Sequence, residues 1–96
     1  MNINLQDDYK KKLQEDIDRM TQFSTSDFNL ANCLVSLGFS VYKIDKSNPE
    51  KCQFIFERNS GLDNTINKFW ANQLRINPKI LFDNQRFLKS RIYSKE

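Results

Sequence analysis

Residues 39–58, FSVYKIDKSNPEKCQFIFER, decide the fold. Two runs rich in aromatic and β-branched side chains, 39–44 and 51–58, flank DKSNPE, whose Asn48 and Pro49 suit a turn. This reads as a β-hairpin. Alternation along the second run places Cys52, Phe54 and Phe56 on one face and Gln53, Ile55 and Glu57 on the other, so the first set is expected to face a core. A hairpin alone is marginal in water and exposes unpaired edges, which a dimer joined edge to edge would satisfy.

The flanking segments read as helices. Upstream, DFNLANCLVSL (27–37) carries Phe28, Leu30, Ala31, Leu34, Val35 and Leu37 on more than one face, which marks the central core helix. Ser24, Thr25 or Ser26 is expected to cap it, with Asp27 in the first turn, and Gly38 to end it. TQFSTS (21–26) reads as a polar break. Downstream, Ser60 is expected to cap a helix over 61–74 with Leu62, Ile66, Phe69 and Trp70 on its apolar side, Trp70 being read as core. Asn77 and Pro78 then open a last helix.

At the start of the chain, Leu5, Tyr9, Leu13, Ile17 and Met20 recur every three or four positions among charged residues. They draw one narrow stripe on an N-terminal amphipathic helix or arm (1–24) beside a compact domain (25–96). The order helix, helix, strand, strand, helix, helix gives an α+β class: a small single domain with helices packed on a two-stranded antiparallel unit.

At 96 residues the chain can bury one modest core. Acids precede any hydrophobic stretch in MNINLQDDYKKK, so no secretory signal is read, and a cytoplasmic location is expected. Cys33 and Cys52, with no histidine in the chain, cannot complete a usual four-ligand zinc site, and two reduced thiols are expected. Without histidine there is no Ser/His or Cys/His pair to activate a nucleophile, and two glycines cannot form a phosphate loop. Asp45 and Glu57 are the acids that would hold Mg²⁺ in a nuclease, but a strand ending in an acid is commonplace, and no lysine follows Glu57 two positions on. The expectation is a non-enzymatic protein with no cofactor and no membrane partner.

Charge is uneven. Residues 63–96 hold seven cations against three acids, while the first 62 are balanced or slightly acidic, which raises the question of an anionic partner. On the last helix, Ile80, Leu81, Phe87, Leu88 and Ile92 share one arc, assigned to the core. Lys79, Phe82, Arg86, Lys89 and Tyr93 share the opposite side, each about one turn above the last. Two readings of this second stripe compete. In one, the cations are solvated and the rings tuck against the N-terminal helix or a neighbouring chain. In the other, cations track phosphates and rings stack on bases, as in binders of single-stranded nucleic acid, with Arg75 and Lys68 nearby.

The motifs TSDFNLANCLVSLGF, FIFE, FW and NPKILFDNQRFLKSRIYS, in that order from about Thr25 to Ser94, resemble a small family of bacterial, archaeal and phage proteins catalogued as a domain of unknown function. The resemblance implies a compact domain common on phages and mobile elements, and supplies no catalytic residues. Abundant Asn, Lys, Ile and Phe also look like the product of an AT-rich genome. The leading expectation is a nucleic-acid-binding protein of a phage or mobile element using the basic and aromatic stripe. The alternative is a protein-interaction module, an adaptor or inhibitor of a host system, acting through the N-terminal helix (Leu5, Tyr9, Leu13, Ile17, Met20) or the hairpin edge, as a homodimer or with another protein.

Overall fold

A computed structural model describes residues 2–48 and 50–94, with side chains from Asp8 onward. Pro49 of the expected turn and the side chain of Leu5 lie outside the described residues. The elements run α1 (Asn2–Thr21), β1 (Gln22–Thr25), α2 (Phe28–Ser36), β2 (Val41–Asp45), β3 (Gln53–Glu57), α3 (Leu62–Trp70) and α4 (Pro78–Ile92). The class is α+β, as expected. The sheet, however, has three antiparallel strands in the order β1-β3-β2, not two.

The third strand is the segment read as a polar break. Phe23 lies opposite Phe56 and Thr25 opposite Phe54, so a four-residue run with a single large apolar side chain covers the free edge of β3. Pairing fixes Gln22–Thr25 as strand and moves the start of α2 onward. Asp27 is therefore the N-cap, its carboxylate accepting from Leu30 N at 3.0 Å, while the Thr25 hydroxyl accepts from Asp27 N at 3.1 Å. Gly38, at φ 100°, ends that helix as expected. At α3 the cap is Gly61 rather than Ser60. Gly61 has φ 90°, a left-handed turn that glycine enters without strain, and it makes no side-chain cap bond. Asn77 caps α4 by accepting from Lys79 N and Ile80 N, with Pro78 in the first turn.

β2 departs from simple alternation. The register slips between Val41 and Lys43, a bulge that turns Tyr42 outward and lets Val41 and Ile44, three apart, both pack against the core. Phe54 and Phe56 of β3 meet Leu30, Ala31 and Leu34 of α2, Leu62 of α3 and Leu88 of α4 in one cluster, all at 2% exposure or less. The helices cover one face of the sheet, and Ser24, Ile55 and Lys43, which pair in register, lie on the other. Within the core region, Asn32 Nδ2 donates to Leu81 O at 3.1 Å and Asn84 Nδ2 to Ser36 Oγ at 3.1 Å, tying α2 to α4.

α1 leads directly into β1 and places no described side chain in the core cluster. Arg58 holds the junction: its backbone amide donates to Thr21 O at 2.8 Å, its Nε to Gln22 O at 3.2 Å, and its Nη1 meets Asp63 at 2.6 Å. The helix extends the molecule to 58 × 33 × 18 Å. Among the described residues, no helix is long and apolar enough to cross a membrane.

Candidate functional site

α4 is amphipathic over a narrower arc than its sequence suggests. Leu88 is fully buried and Leu81 and Ile92 are half-buried, but Ile80 and Phe87, also assigned to the core, stand 48% and 54% exposed. The core beneath is one sheet face wide and shared with α2. Only the strip of α4 carrying Leu81, Asn84, Gln85, Leu88 and Ile92 reaches it, and the flanks stay in solvent.

The opposite stripe is open along its whole length. Lys79, Phe82, Arg86, Lys89 and Tyr93 are all exposed, Phe82 at 58% and Tyr93 at 80%. Tyr9, Leu13 and Ile17 on α1 are exposed too, so the rings of α4 are not tucked beneath the N-terminal helix. The cations are not all free. Asp83 accepts from Lys79 Nζ at 2.9 Å through one oxygen and from Arg86 Nη2 at 2.6 Å through the other. Those bonds, Lys79 first and Arg86 next, hold the Asp83 carboxyl below its ordinary pKa, and the same contact raises that of Lys79. Lys89 Nζ lies 5.9 Å from the centre of the Phe28 ring, a cation–π contact across to α2.

Arg75 and Lys68 lie off α4. Lys68 sits in the last turn of α3 and Arg75 in the connector to α4, both exposed, and no hydrogen bond or ion pair found among the described residues links either to α4. Trp70, read as core, is corrected by the structure. It is 62% exposed and packs edge-on to Phe69, ring centres 4.9 Å apart, because Phe69 takes the core side of the last turn of α3 and Trp70, one residue on, faces away from it.

The structure adds cations that the sequence did not single out. A cleft of about 410 Å³ opens between the outer edge of β2 and the last turn of α4, lined by Lys43, Lys46 and Arg91 together with Tyr42, Ser90 and Ser94. Among the described residues, no carboxylate lines it. Lys46 Nζ donates to Ser94 O at 3.0 Å, pinning the end of the helix to the strand. Since 48 positions separate these two residues, only the packing of α4 beside β2 brings them together. Arg91 also lies 5.9 Å from the Phe87 ring centre.

Asp45 and Glu57 cannot share a metal ion. Asp45 is paired with Gln53 at one end of β3 and Glu57 is at the other, roughly 13 Å away at strand rise. Asp45 instead accepts from Ser47 N at 2.9 Å, a local turn that lowers its pKa. Cys33 and Cys52 are both free and half-buried, and burial, then the charge of Asp27, pushes the Cys33 thiol up.

A fold assembled around FIFE and FW, with α4 closing it, meets the family profile of a domain of unknown function, DUF5659, over residues 20–94. The chain belongs to the DUF5659 family. The family match begins within the last turn of α1, so most of that helix stands outside it. No curated protein and no solved structure matches the chain.

Proposed function

We propose that this DUF5659 protein is a small non-enzymatic nucleic-acid-binding protein of a phage or mobile element, and that single-stranded nucleic acid is its preferred ligand. One observation carries the reading: Phe82 and Tyr93 stand in solvent on the same helix face as Lys79, Arg86 and Lys89. Large exposed rings cost solvation unless something covers them, and a ring beside a cation suits a base followed by its phosphate. The cleft cations Lys43, Lys46 and Arg91 lie by the same end of α4 as Tyr93 and add positive charge there. The phage or mobile-element source rests on the resemblance and the AT-rich composition.

The test is fluorescence anisotropy with labelled single- and double-stranded oligonucleotides at two salt concentrations. Binding is expected to favour the single strand and to weaken with salt as phosphate contacts release counterions. Phe82→Ala and Tyr93→Ala are each expected to weaken it by about 1 to 3 kcal/mol per lost stack. No anisotropy change at micromolar protein and low salt would overturn the proposal.

A further inference from the structure

α1 is a helix with an unanswered face. Tyr9, Leu13, Ile17 and Met20 are 69%, 49%, 43% and 76% exposed, none of them packs in the core cluster, and nearly all of the helix precedes the family domain. A polar helix of this length gains little stability by itself and needs a surface for its apolar stripe. The charges beside the stripe say what that surface is.

At about 100° per residue, Asp8, Lys12, Asp16 and Arg19 lie along one side of the stripe, and Lys10, Gln14 and Thr21 along the other. The first set alternates in sign: minus, plus, minus, plus. Read from the other end it is plus, minus, plus, minus. When two copies pair antiparallel about a two-fold axis, like flanks face each other. Asp8 then meets the second copy's Arg19, Lys12 meets the second copy's Asp16, and the symmetry repeats both pairs. The apolar residues obey the same arrangement. With Leu13 on the axis, it packs on the second copy's Leu13, and Tyr9 packs on the second copy's Ile17. Parallel pairing would instead set this flank against Lys10, Gln14 and Thr21, putting Lys12 near a like charge. Within one chain, Arg19 already reaches toward Asp16 at 3.8 Å with both groups exposed, so these charges are free to be shared.

We infer that α1 is a self-association element: two copies of the chain pair antiparallel through Tyr9, Leu13 and Ile17, with the α2–α4 domains at opposite ends. Two stripes of a few side chains bury less than the ~1,200 Å² of a stable interface, so the dimer is a weak one that forms at high protein concentration. This does not depend on the nucleic-acid reading.

Light scattering or sedimentation of the full chain, followed up to about 0.5 mM, is expected to show the mass double. Leu13→Lys should remain a monomer with unchanged domain signals by circular dichroism, since no described side chain of α1, Leu13 included, lies in the core cluster. Orientation is read by oxidative cross-linking, with the wild-type chain as the control for Cys33 and Cys52. Leu13→Cys should form a covalent dimer and Tyr9→Cys alone should not. The two copies of position 9 stand eight residues, about 12 Å, apart along the pair, beyond disulfide reach. The double variant Tyr9→Cys/Ile17→Cys should cross-link again. A chain that stays monomeric across this range overturns the inference and leaves the stripe to a different protein, and efficient cross-linking of Tyr9→Cys alone overturns the antiparallel arrangement.

Discussion

Asp83 is the residue on which the charge of the α4 stripe turns. It occupies both Lys79 and Arg86, so much of the positive charge expected from sequence is answered within one turn of helix. Exposed pairs of this kind are weak and screened by salt, and a phosphate can displace the carboxylate. Asp83→Asn is therefore expected to tighten oligonucleotide binding several-fold at low salt, measured by anisotropy, and to steepen the salt dependence by about one contact. The sign with pH follows. A depressed carboxyl pKa means the two pairs persist above the ordinary carboxylate range and are lost only as pH falls through the lowered value. With no histidine in the chain and the Asp83 carboxyl held below its ordinary range, binding measured from about pH 5 to 8 should be flat. A marked rise or fall in that window would place the controlling group elsewhere.

At the scale of elements, strong signals were legible and weak ones were not. Phe54 and Phe56 show their burial through strict alternation, Leu30, Ala31 and Leu34 through a dense apolar helix, and Asn77-Pro78 through cap chemistry local to the chain. Gln22–Thr25 escaped because four residues with one phenylalanine carry no readable period; they become a strand only because β3 offers an edge. Ser60 and Trp70 were misplaced for a related reason. The backbone turn at Gly61 and the side of α3 that meets the core depend on tertiary packing. At the candidate site, helix spacing put Phe82 and Tyr93 on one face with the cations but left open whether the rings were covered or exposed, and the Lys43, Lys46 and Arg91 cleft required β2 and α4 to be brought together. The core itself makes a sharp prediction. Phe56, at 0% exposure, lies in the middle strand beneath α2, and truncation to alanine should cost about 3 to 5 kcal/mol. Because a domain of this size has on the order of 5 to 15 kcal/mol in all, urea denaturation should show the midpoint of Phe56→Ala lowered by a large fraction of the wild-type value. A shift of midpoint too small to resolve would contradict the assigned core.

The whole molecule presents two separate exposed surfaces. The domain from β1 to α4 carries the core and the basic, aromatic face, and α1 projects from it with a stripe of its own. Removing residues 1–19 should therefore leave a folded domain that melts cooperatively and binds an oligonucleotide with the affinity of one isolated domain, as calorimetry and anisotropy would show. Paired through α1, two such faces on one particle would bind long single strands more tightly than short ones, because the second contact becomes intramolecular. The central claim, that the α4 stripe is the nucleic-acid surface, is tested most directly by NMR titration of the ¹⁵N-labelled protein with a short single-stranded oligonucleotide. The expected result is saturable shift changes concentrated at Lys79, Phe82, Arg86, Lys89 and Tyr93, and at Lys46 and Arg91 by the same end of the helix. Changes confined to α1 or to the open face of the sheet, or none at millimolar oligonucleotide, would contradict it.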